Sequence, residues 1–140
     1  MDNNGHVDRT SFHVLTVIAL HLSATILLNR ILKPEIRTDP ESQEAAQEII
    51  RIAYCLRKAK YLDTPRSLLW PLPLFIAGIE TTDEIYQDWI LSYLTELQHW
   101  GSYIEKSKEL LQRICKRQQR EKRRVGVSNA MKHFNIVVIV

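Results

Sequence analysis

Apolar residues recur at helical spacing along most of the chain, and segments with the alternating pattern of strands are nearly absent. Proline, glycine and capping residues divide the chain into about six helical segments joined by short connections. We therefore expect an all-α fold, an irregular antiparallel array of about six helices. Residues 1–140 are expected to form a single helical unit that is part of a larger helical domain.

The first predicted helix spans residues 10–33 and carries polar residues on every side of the helical wheel among many apolar ones. This pattern is typical of a buried helix, or of a helix whose partners lie outside this chain. In the second case an exposed apolar patch and self-association are expected. Thr16, His21, Ser23 and Thr25 interrupt the segment, and about twenty apolar residues are needed to span a bilayer, so no membrane partner is expected.

A second helix is predicted to begin at Asp39-Pro40, because Asp is a good N-cap residue and proline is tolerated at the first helical position. The most apolar stretch of the chain follows, at residues 68–79. Pro71 and Pro73 are expected to break it into two short helices, since proline disrupts a helix interior. Gly78 is expected where two helices approach closely.

Thr81 and Glu84 have the spacing of a capping box, which predicts an amphipathic helix that contains Trp89. A second capping box, Ser102 to Glu105, predicts the next helix. We expect the central apolar residues to form the core rather than an active site. These predicted core residues are Trp70, Phe75, Gly78, Ile79, Trp89, Ile90 and Leu94.

The charge balance is modest, with 19 Lys and Arg against 16 Asp and Glu, but the positive charges cluster at residues 113–124. This basic helix end is interpreted as a nuclear localisation signal or a phosphate-contacting segment. The simpler alternative is a solvated helix end whose cations are favourable near the helix C-terminus. No pattern of aromatic or amide side chains for reading bases accompanies it. The candidate residues are Lys116, Arg117, Arg120, Lys122, Arg123 and Arg124.

Candidate catalytic groups are sparse. Glu96 and His99 form one half of the Glu-x-x-His pair of di-metal carboxylate bundles, and no second half follows. Cys55 and Cys115 continue apolar stripes, as buried structural thiols do. Glu80, Asp83, Glu84 and Asp88 are explained as acidic residues at a helix start. We therefore expect no enzyme activity, no metal and no cofactor.

Four segments share their order and spacing with a known family. They are Trp70-Pro71, the stretch from Leu74 to Asp83, Asp88-Trp89-Ile90 and Arg123-Arg124-Val125. Together they resemble the carboxy-terminal part of the helical regulatory domain of fungal zinc-cluster transcription factors, over about residues 44–140. Leu72-Pro73 reads as a two-residue insertion relative to the family pattern.

The resemblance implies a non-enzymatic transcription-regulatory module in the nucleus. Its partners would be other parts of a longer transcription factor or other nuclear proteins. Members of this family read DNA with an amino-terminal six-cysteine cluster that holds two zinc ions, and this chain has only two cysteines. We therefore expect no specific DNA binding by this chain alone.

Two alternative functions remain. One is a stand-alone basic helical protein that binds nucleic acid non-specifically through residues 113–124. The other is a helical metal-dependent enzyme that uses Glu96 and His99.

Overall fold

The computed structural model describes residues 9–33, 39–59, 70–97 and 102–122. These ranges contain five helices and no strand, which confirms the all-α prediction with one helix fewer than expected. The short helix expected before Pro71 and the apolar tail at residues 136–140 lie outside the described residues. The five helices are α1 (Arg9–Leu32), α2 (Pro40–Lys58), α3 (Pro71–Glu80), α4 (Glu84–Leu97) and α5 (Ser102–Glu121).

The start of α2 confirms the predicted cap. A carboxylate oxygen of Asp39 accepts hydrogen bonds from the backbone N–H of Ser42 at 3.1 Å and from its hydroxyl at 2.9 Å. Asn29 of α1 donates its side-chain amide to the same carboxylate at 3.1 Å. The cap therefore satisfies the first turn of α2 and also fixes α2 against the end of α1.

The central helix of the fold is α3, which contacts each of the other four helices. Every residue in it except Leu72 is buried. The helix expected after the break is α3, but it begins at Pro71 rather than beyond Pro73, so both prolines lie in its first turn. Proline is tolerated there because the first backbone N–H groups of a helix have no partner within the helix.

Four predicted core residues, Trp70, Phe75, Ile90 and Leu94, are fully inaccessible to solvent, and Ile79 is 1% exposed. Gly78 is also buried. Trp89, which was also expected in the core, is partly buried and packs against the core cluster.

Trp89 instead covers the edge between α2 and α4. Its ring lies 6.3 Å from the Tyr54 ring and 5.6 Å from the Tyr93 ring, centroid to centroid. The Arg57 guanidinium lies 5.7 Å above the Trp89 ring and 4.5 Å above the Tyr93 ring, within reach of a cation–π interaction.

The N-cap of α4 lies two residues later than the capping box predicts. A carboxylate oxygen of Asp83 accepts from the backbone N–H of Ile85 at 2.9 Å, and the Asp83 carbonyl accepts from the N–H of Gln87 at 3.1 Å. Thr81, the expected N-cap, accepts a hydrogen bond from the N–H of Asp83. Asp83 therefore caps the helix, and Thr81 supports the turn before it.

Candidate functional site

A polar junction joins α1, α3 and α5 inside the fold. Arg30 donates from Nη1 to Glu80 Oε2 at 2.7 Å and from Nη2 to Gln118 Oε1 at 2.6 Å. The side chains of Arg30 and Glu80 are 5% and 0% exposed. Removing one partner of such a buried pair leaves an uncompensated charge, which costs about 3–5 kcal/mol. The junction therefore locks the end of α1 onto α3 and α5.

The expected role of Glu80 is therefore wrong. The sequence grouped Glu80 with the acidic residues at the start of α4, but it ends α3 and faces inward. The partner was not found because Arg30 lies 50 positions earlier in the chain. Only the charge pattern could have signalled it, since Arg30 is the one charged residue between positions 10 and 32.

Side-chain amides occupy the carbonyl end of α3. Gln43 donates to the Glu80 carbonyl at 2.6 Å, and Gln118 donates to the Ile79 carbonyl at 2.8 Å. The last turn of α3 contains no basic residue that could serve this purpose. Helix ends leave carbonyl groups without intrahelical partners, so these amides act as a cap supplied by neighbouring helices.

A cavity of about 120 Å³ adjoins the polar junction and is lined by Arg30, Glu80 and Cys115 among others. Pockets for small organic ligands usually measure about 300–1,000 Å³, so this one has room for only a few water molecules. Burial raises the pKa of the Cys115 thiol to about 11. The thiol is thus protonated near neutral pH and is a poor nucleophile.

The basic end of α5, residues 113–122, presents its cations to solvent. Arg113, Lys116, Arg117 and Arg120 are exposed and follow i, i+3, i+4, i+7 spacing, which places them on one face. Arg117 donates to Glu121 at 3.0 Å. Lys122 is exposed as well, and the expected contributions of Arg123 and Arg124 lie outside the described residues.

Glu96, the candidate metal ligand, accepts a hydrogen bond from Arg57 Nη2 at 2.6 Å. Its predicted companion His99 lies outside the described residues. In the parts of the chain that the structure describes, no three His, Cys, Asp or Glu side chains are placed to hold a metal ion together.

The outer face of α1 is largely apolar, and its buried face combines apolar core residues with polar ones. Thr16, Ser23, Asn29 and Arg30 are buried against the other helices. By length and composition alone α1 could cross a membrane, a property that core helices of soluble proteins also show. We define the outer face of α1 by its exposed large apolar residues, which are Val14, Val17, Ile18, Leu28, Ile31 and Leu32.

Comparison with known proteins identifies the family. No curated protein and no solved structure matches the chain. The family model described as the fungal specific transcription factor domain matches residues 2–134. The match includes α1, which lies outside the resemblance at residues 44–140 noted from the sequence. The chain belongs to the fungal specific transcription factor domain family.

Proposed function

We propose that this chain is a non-enzymatic transcription-regulatory domain that acts in the nucleus through helix-on-helix contacts. Its partners are other parts of a longer transcription factor or other nuclear proteins, and bases are read by a segment other than this one. The observation that carries the proposal is the family match over residues 2–134.

The use of the buried polar groups supports a non-enzymatic role. Glu80 is held by Arg30, and the amides of Gln43 and Gln118 cap carbonyl groups of α3. Such contacts stabilise one arrangement of helices. A catalytic site instead requires a nucleophile or base with a reachable partner in a cleft, and the protonated Cys115 thiol does not meet this requirement.

The exposed cations on α5 favour phosphate contact or nuclear import as the role of the basic end. Contacts with phosphate position a protein on nucleic acid but carry no sequence information. This chain alone should therefore bind DNA weakly, without sequence preference and with strong salt dependence.

A reporter assay tests the regulatory role. The chain is fused to an unrelated DNA-binding domain, and transcription from a promoter with the matching sites is compared with that of the DNA-binding domain alone. A change in either direction that disappears with Phe75→Asp, which places a charge in the core, supports the proposal. An unchanged reporter, with the wild-type fusion folded and nuclear, contradicts it.

A DNA titration tests the alternative of direct recognition. The protein is titrated with a candidate site and with a scrambled duplex at low and physiological ionic strength. Equal affinities that fall with salt, and that are lost when Lys116, Arg117 and Arg120 are replaced by Gln, agree with phosphate contact alone. A preference above about a thousandfold is the range of specific DNA-binding proteins and would contradict the proposal.

A further inference from the structure

We infer that the outer face of α1 is a homodimer interface that docks on the same face of a second copy of this chain. This inference does not depend on the proposed function, because it rests on the shape, charge and exposed area of α1.

The apolar positions have the spacing of packed helix pairs. Val14, Val17, Leu28 and Ile31, together with His21 and Ala24 between them, are all exposed and are separated by alternating steps of three and four residues. Alternating three- and four-residue steps keep one stripe facing a partner helix along its whole length. The stripe runs for about 26 Å at 1.5 Å per residue. It is therefore long enough for several turns of helix-to-helix packing.

The exposed area meets the requirement of a stable dimer. The six residues that define the outer face are between 40% and 74% exposed. They leave on the order of 600 Å² of surface on each copy, hence roughly 1,200 Å² for a pair, the lower end of specific interfaces. The six residues form two apolar clusters on either side of His21, and their combined area is at the upper end of the roughly 300–600 Å² that the largest patch of a monomer exposes.

The charge pattern favours a partner with the same face. Between Val14 and Leu32 the only charged residue is Arg30, and Arg30 points inward to Glu80. A second copy thus brings apolar side chains against apolar side chains and buries no unpaired charge, which would be costly. His21 is the most polar group on the stripe, and it lies at the middle of the stripe with apolar residues on both sides.

The buried face of α1 argues against a bilayer as the occupant. The Thr16 hydroxyl accepts from the Trp70 indole at 3.0 Å, Asn29 donates to Asp39, and Arg30 pairs with Glu80. If α1 crossed a membrane in this fold, these partners would enter the hydrocarbon region with it, where ionised groups are expensive. The polar contacts instead hold α1 at the surface of a helical array.

Sedimentation velocity of the full chain over roughly 1–100 µM tests the inference, because this concentration range covers dimers with micromolar dissociation constants. Ile31→Glu and Val17→Glu place a charge in each half of the stripe, at side chains that are 74% and 64% exposed. Ile85→Glu on α4 is the matched control, because Ile85 is 76% exposed and does not belong to the outer face of α1. Circular dichroism checks that each variant keeps its helices.

The wild type and Ile85→Glu should both form dimers, and each α1 variant should dissociate at least tenfold more readily while it keeps wild-type helicity. A wild type that is monomeric throughout the range overturns the inference. Dimers of Ile31→Glu and Val17→Glu as stable as the wild type also overturn it. Vesicles of phosphatidylcholine and phosphatidylserine serve as the lipid probe: binding as a monomer through α1 would assign the face to a membrane and overturn the dimer.

Discussion

Enlarging Gly78 should reveal how tightly α3 is packed against α5. Gly78 lies inside α3, and a Cβ atom placed on it would be 3.0 Å from both terminal methyl groups of Leu111. Leu111 is fully buried on α5. The Gly78 carbonyl also lies 3.5 Å from the Cys115 thiol, which donates to it. These contacts make Gly78 a point of close approach between the two helices.

Two opposing effects set the magnitude for Gly78→Ala. Alanine is favoured over glycine inside a helix by about 1 kcal/mol. An additional methyl group in a filled core costs about 1–3 kcal/mol, because Leu111 must shift by a few tenths of an ångström. The net effect should lie between neutrality and a loss of about 2 kcal/mol. Gly78→Leu adds three more carbons and should lose about 3 kcal/mol or more.

Urea denaturation followed by circular dichroism measures these losses, and a double-mutant cycle assigns their cause. Leu111→Ala alone should cost about 2–5 kcal/mol because it leaves a cavity. The double variant Gly78→Ala/Leu111→Ala should lose at least about 1 kcal/mol less than the summed losses of the two single variants, since the new methyl group enters that cavity. Strict additivity, or a Gly78→Leu variant as stable as the wild type, would refute the close approach.

Asp39→Ala should cost about 1–2 kcal/mol at neutral pH. Burial disfavours the charged carboxylate of Asp39, but hydrogen bonds from Ser42 and the charge of Lys33 outweigh this effect and hold its pKa below 3.8. The difference in unfolding free energy between Asp39→Ala and the wild type should therefore shrink in urea titrations below that pH. A difference that stays constant with pH would contradict this. In a thiol-labelling assay Cys55, which is partly exposed, should react in the native protein and Cys115 only after unfolding; equal native rates would be inconsistent with burial of Cys115. Lys122 has a φ of 53°, a backbone conformation that glycine adopts more readily than other residues. Lys122→Gly should therefore raise the free energy of unfolding by about 0.5–1 kcal/mol. A Lys122→Val variant as stable as Lys122→Gly would show that no strain exists there.

Local signals in the sequence predicted much of the fold. The Asp39-Pro40 start of α2 follows from capping and proline chemistry that acts over a few residues. The helical class and the core positions Phe75 and Ile79 follow from the density and spacing of apolar residues. Family membership was predicted mainly from consecutive sequence motifs in α3 and α4, and the match over residues 2–134 confirms it.

The features that depend on distant contacts could not be predicted in the same way. The partner of Glu80 lies 50 residues away, so nothing near Glu80 indicates that it is buried. The first residue of α3 could not be predicted either, because proline is tolerated in the first turn of a helix but disrupts its interior. In α1, apolar and polar residues occur on both sides, and only tertiary packing shows which of its apolar residues are exposed.

The most direct measurement is the reporter output of the chain fused to an unrelated DNA-binding domain, compared among variants of equal expression and nuclear content. If the folded helical surface regulates transcription, the wild type and Ile85→Glu should change transcription equally, because Ile85 is exposed on α4 and is not part of the outer face of α1. Phe75→Asp should abolish the change because it disrupts the core, and Ile31→Glu should reduce it if dimerisation contributes. Reporter output equal to that of the DNA-binding domain alone for the folded wild-type fusion would contradict a regulatory role for this chain.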